Sequence, residues 1–141
     1  MKASLRLLMF VGPVTLFANA ALAEEAPPPQ PTAMPKRTPG LWRITTVAPE
    51  IGMEMNEVCI EDGDSIIGAL NSSCGAPSVT RANDRVIVTI GCGPESKRDV
   101  TSLLFTGDFT TWYRAQSKAT AGTHRSGFTI DAKFIRAQCT R

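Results

Sequence analysis

Few residues of this chain have types and spacings that could do chemistry. Cys59, Cys74, Cys92 and Cys139 follow one another at intervals of 15, 18 and 47 residues. Zinc sites are built on tighter pairs, and no C-x-x-C occurs here. An even cysteine count in a small exported domain reads as disulfides instead. His124 is the only histidine, in a segment bounded by Gly122 and Gly127. A serine hydrolase needs its base beside an activated nucleophile. Asp131 and several serines are available, but no nucleophile-elbow motif surrounds any of them. Glu54/Glu57 and Asp62/Asp64 are close carboxylate pairs. Both sit near turns or caps, where acids are ordinary, whereas a glycosidase needs two acids across a cleft. Met53 and Met55 place two thioethers on one strand face, which suits Cu(I) and equally suits core filling. Glycine-rich phosphate loops are absent. No catalytic constellation and no cofactor follow from these residues, so a non-enzyme is expected.

Strands must position the cysteines. Val86, Val88, Ile90 and Cys92 alternate with more polar neighbours, the mark of a half-buried strand. Asn83-Asp84 is a turn signal, and residues 76–82 supply a partner strand. A two-residue turn at 83–84 sets Val79 opposite Val88 and Gly75 opposite Cys92. A bulge or a three-residue turn then brings Cys74 to Cys92. The expected bridges are Cys74–Cys92 and, by remainder, Cys59–Cys139.

The C-terminal residues read as a hairpin around a loop at 122–127. Pairing outward from it sets Ala121 against Phe128, Ala119 against Ile130, Ser117 against Ala132 and Ala115 against Phe134. Small residues then face large ones, as a packed inner face requires. The other face carries Lys118–Asp131 and other polar pairs. Gly107-Asp108 reads as a two-residue hairpin turn, which pairs Leu104 with Thr111 and Ser102 with Tyr113. That register turns Leu103, Phe105 and Trp112 outward as an apolar strip, a candidate surface for a ligand or a partner. Asp64 could cap a short helix whose Ile66, Ile67 and Leu70 cover the strip. With strands at Trp42–Thr46 and Met53–Ile60, the expectation is a mostly β fold. It has about seven antiparallel strands in a strongly curved sheet or partly open barrel, one short helix and two disulfides.

The ends of the chain give its organisation. Lys2 and Arg6 precede an apolar run from Leu7 to Leu22, and Ala21-Leu22-Ala23 fits a cleavage site. This is the pattern of a secretory signal over residues 1–23, cut after Ala23. The run is short for a membrane span and holds Gly12-Pro13, so no transmembrane segment is expected in the mature chain. Residues 24–39 hold six of the ten prolines and read as a linker or disordered tail. Residues 40–141 form one β domain. Of the 15 basic residues only Lys2 and Arg6 fall within 1–23, and none of the 13 acidic ones does, so the remainder is formally neutral. A basic footprint for nucleic acid is absent.

Pro39-Gly40-Leu41-Trp42 opens a threonine-rich strand, Met53 and Met55 precede Val58-Cys59, a second cysteine follows a short insert, a third ends a strand and a fourth lies near the C-terminus. In these features residues 38–139 resemble the exported bacterial family called domain of unknown function 3617. The final run Phe134-Ile135-Arg136-Ala137-Gln138-Cys139 departs from the glycines around an arginine with which that family usually closes. The resemblance implies a periplasmic or envelope setting and brings no catalytic residues. The expected function is a non-catalytic module for an apolar or lipid-like ligand, with an envelope protein–protein interaction module as the alternative and copper binding at Met53/Met55 or catalysis behind both.

Overall fold

A computed structural model describes residues 27–121 and 124–139 of the chain. The expected signal and its cut after Ala23 lie outside the described residues. Nine strands join in one open sheet, and all pairings are antiparallel. They are β1 (Gln30–Pro31), β2 (Gly40–Ala48), β3 (Gly52–Ile60), β4 (Ser78–Ala82), β5 (Arg85–Cys92), β6 (Asp99–Gly107), β7 (Trp112–Ala121), β8 (His124–Ser126) and β9 (Thr129–Arg136). The order across the sheet is β1-β4-β5-β6-β7-β9-β2-β3, with β8 pairing β7. The connection from β3 to β4 therefore runs from one side of the sheet to the other.

One face of the sheet is the core. Val86 stands opposite Phe105, Phe105 opposite Ala115, Ala115 opposite Ile130, and Ala132 opposite Ile44. Val86, Val88, Leu103, Phe105, Tyr113, Ala115 and Ala132 are buried on it. Trp42 is the largest fully buried side chain. Its ring meets Tyr113 at 5.6 Å and Phe134 edge-on at 5.5 Å, and its Nε1–H donates to the Thr38 carbonyl at 2.8 Å. A buried indole needs such an acceptor. Met34, Ile66 and Ile67 pack against this core from outside the long strands.

Two disulfides brace the sheet, Cys59–Cys139 and Cys74–Cys92. Val79 pairs with Val88 across the turn at 83–84, and Cys74 meets Cys92 in an isolated bridge one residue out of that register. The slip is the bulge that the cysteine spacing demanded.

Four expectations are corrected. The β6–β7 connection is not a two-residue turn at Gly107-Asp108: Gly107 pairs with Tyr113 and Leu104 with Gln116. The displacement is an odd number of residues, so it exchanges the faces. Leu103 and Phe105 are core, while Trp112 points the opposite way and is 46 % exposed. The cause is local chemistry. The Asp108 carboxylate accepts the Thr111 hydroxyl and the N–H groups of Thr110, Thr111 and Trp112. That ring of bonds needs the chain to linger between the strands. Gly107 makes it possible, with φ of 126° and no room for a Cβ, which would stand 2.6 Å from the Trp112 carbonyl oxygen.

The C-terminal hairpin is also displaced. Ala115 faces Ile130 and Tyr113 faces Ala132. The segment 124–126, expected in the loop, is β8, and it pairs with β7 in the same register. The turn itself, at 122–123, lies outside the described residues. Here the displacement is even, so the faces are those expected although every partner differs. Arg114, not Lys118, holds Asp131, through contacts of 2.6 and 3.1 Å.

The third correction concerns residues 64–70, which form turns rather than a helix. Asp64 Oδ2 accepts the Glu61 N–H at 2.8 Å, behind it in the chain, so it caps nothing downstream. The only helical turn among the described residues is a 3₁₀ turn at Glu95–Lys97. The fourth is the proline-rich segment. Gln30 pairs with Arg81 and Pro31 with Thr80, the Thr32 N–H reaches the Val79 carbonyl, and the Thr38 N–H reaches the Phe109 carbonyl. Residues 30–38 are therefore a strap that pairs with β4 at residues 30–32 and runs past the core to the β6–β7 loop at Thr38, rather than a free tail.

Hydrogen bonds from Thr111 first, then from the Trp112 and Thr110 N–H groups, hold the Asp108 carboxyl well below the usual carboxylate range. A depressed folded-state pKa gives stability that is present at neutral pH and fades as acid reaches the group. Asp108→Asn is expected to flatten the acid side of the stability curve below about pH 4, as read by thermal unfolding at successive pH values. An unchanged acid limb would show that the carboxylate's bonds are not formed in solution.

Candidate functional site

The face opposite the core carries a cleft. Register places Ile87, Leu104, Gln116, Thr129 and Val47 in one row across β5, β6, β7, β9 and β2. All five line a cavity of about 750 Å³, together with Lys118, Phe128 and Pro49 of the β2–β3 turn. Its volume falls in the range of small-molecule sites. Ile87, Leu104 and Val47 make its apolar wall, and Gln116, Ser102 and Thr129 its polar one, while Phe128, which packs against the core, reaches it from that side. Lys118 stands opposite Ser102 and has no ion-pair partner among the described residues. Gly127 lies at the break between β8 and β9, where a Cβ would be 2.5 Å from the Ser117 carbonyl oxygen. Only glycine lets the two backbones close there and complete the wall.

Two other concavities flank the sheet. One of about 350 Å³ lies between Met34–Arg37 of the strap and Asp62–Leu70 of the β3–β4 connection. Arg37 crosses it, donating from Nη2 to the Ser65 carbonyl at 3.0 Å, with its buried Nε unpartnered. The other, about 460 Å³, gathers Trp112, Arg43, Arg114, Asp131 and Lys133. Asp131 raises the pKa of Arg114 there, by hydrogen bonding and charge.

The residues singled out by type are dispersed. Leu103 touches the cleft from the core side, Phe105 is buried and Trp112 belongs to the third concavity. Glu54 and Glu57 are three residues apart on β3 and so point to opposite faces. Glu57 pairs with Arg43 at 3.0 Å, and Glu54 accepts from Asn56. Met53 and Met55 share the outer face at 74 % and 60 % exposure. His124 is in β8, opposite Ala121. Among the described residues no three of His, Cys, Asp and Glu come together as metal ligands would, and no helix is long and apolar enough to cross a membrane. The cleft row escaped sequence reading because Ile87, Leu104 and Val47 lie in three strands whose registers only the folded sheet sets.

Comparison with known proteins finds no match among curated proteins and none among solved structures. The family model described as Protein of unknown function (DUF3617) matches residues 37–139, most of the chain, and the protein belongs to that family.

Proposed function

We propose that this protein is an exported, non-catalytic binding module whose ligand is an amphiphile with an acyl-like body and an anionic head. The observation that carries this reading is the cleft of about 750 Å³ with Ile87, Leu104 and Val47 on its wall and, at its side, Lys118, which has no ion-pair partner among the described residues. Apolar walls with one fixed charge recognise a chain and orient its head. The leader-like residues 1–23 and the two disulfides support an oxidising compartment such as the periplasm as its setting.

Titration with the fluorescent fatty acid cis-parinaric acid tests the proposal. Saturable one-to-one binding is expected. Leu104→Asp is expected to weaken it at least about tenfold, which corresponds to some 1.4 kcal/mol, and Lys118→Glu to weaken the fatty acid more than the matching alcohol. Absence of saturable binding, or equal affinity in both variants, overturns the assignment.

A further inference from the structure

The two edges of the sheet are treated differently. The β4 edge is covered by β1, and Pro31 within that strap and Pro27, Pro28 and Pro29 just before it leave few N–H groups for a further strand. The other edge is β3, which is nine residues long and pairs only with β2 among the described residues. In an antiparallel pair, alternate residues turn their N–H and C=O groups away from the partner strand. On β3 those groups meet no strand among the described residues. Natural proteins blunt such edges with charged side chains, proline or bulges; β3 has no proline and is in unbroken register with β2 from Gly52 to Ile60, and its only charges, Glu54 and Glu57, are acidic.

Its charge is one-sided. From Glu50 to Asp64 the chain holds six acidic residues and no lysine or arginine. Arg43 neutralises Glu57, but Glu50, Glu54, Glu61, Asp62 and Asp64 have no basic partner among the described residues. The side chains between the acids are Met53, Met55 and Val58, all exposed. Methionine surfaces adapt to varied partners.

We propose that β3 is a docking edge for an extended, basic segment of a partner protein, one in which lysine or arginine alternates with apolar residues. The segment adds a strand to β3 by main-chain hydrogen bonds. Its cations meet Glu54 and the acids that flank the strand, and its apolar side chains lie on Met53 and Met55. A second copy of this chain is a poor occupant, since antiparallel self-pairing brings two acidic strands together. Met53 stands opposite Val47 at the rim of the cleft, but none of Met53, Glu54 and Met55 lines it, so Glu54→Lys/Glu61→Lys and the cleft variants test the two proposals separately.

The test uses the full chain and a capped nine-residue synthetic peptide in which lysine alternates with valine and threonine, matched in length to β3. Saturable binding is expected, with slowed hydrogen exchange at β3 amides and affinity falling as salt rises. The Glu54→Lys/Glu61→Lys variant is expected to bind at least about tenfold more weakly while keeping the wild-type unfolding curve, since both side chains are exposed. A glutamate-for-lysine peptide is expected not to bind. Failure of the lysine peptide to bind, binding without protection of β3, or equal binding of the glutamate peptide overturns the proposal. Concentration-dependent dimerisation that protects β3 overturns it in favour of self-association.

Discussion

Trp42→Ala is expected to destabilise the domain by about 3–5 kcal/mol, the range for truncating a buried aromatic. The side chain is fully buried on the core face, with the rings of Tyr113 from β7 and Phe134 from β9 about 5.5 Å away. Removal leaves a cavity between strands that a braced sheet cannot close, and it strips the Thr38 carbonyl of its donor. The strap is affected through Thr38, so its pairing with β4 should loosen together with the core. The other tryptophan is the control. Trp112 lies on the opposite face at 46 % exposure, and Trp112→Ala is expected to cost under about 1 kcal/mol. Urea unfolding followed by circular dichroism separates the two. Similar costs for both would mean that the faces of β7 are interchanged.

Loss of the Cys59–Cys139 bridge is the second large effect. The bridge spans 80 residues and ties β3, at the bare edge, to the segment after β9. In the loop-entropy description a closure of that length is worth about 4.5 kcal/mol, against about 3 for the shorter loop of Cys74–Cys92. The paired variant Cys59→Ser/Cys139→Ser avoids a stray thiol. It is expected to lower the urea midpoint more than Cys74→Ser/Cys92→Ser does. The reverse ranking would show that native-state packing around the shorter bridge outweighs unfolded-chain entropy. The edge position adds a kinetic expectation: without its tether, β3 should exchange its amides faster than the central strands.

The strands were legible because their signal is local. Val86, Val88 and Ile90 alternate within a single element, and the same parity survives in the sheet. Cys74–Cys92 followed from one hairpin, where a turn at 83–84 and a short span leave little freedom. The core face of the C-terminal hairpin was legible for a weaker reason. Its register was displaced by an even number of residues, and a side-chain period of two does not register that difference. The β6–β7 hairpin had no such protection. A carboxylate at Asp108 gathers three backbone N–H groups and a hydroxyl, so the loop lengthens and the displacement becomes odd. Leu103 and Phe105 then belong to the core, and Leu104 takes the outward place.

The sequence by itself determined the class of fold and the bridge pattern, because the strands and the Cys74–Cys92 hairpin rest on residues near one another in the chain, and the second bridge follows by remainder. Tertiary structure alone decided the cleft, the strapped edge and the bare one. The cleft row joins Val47 to Thr129, Gln116, Leu104 and Ile87, and that alignment exists only after four separate strand pairings have each settled their register. An edge is likewise not a property of a strand's own residues. Among the described residues β3 pairs only with β2, at the end of the order β7-β9-β2-β3, and β4 is covered because Gln30 and Pro31 pair with Arg81 and Thr80.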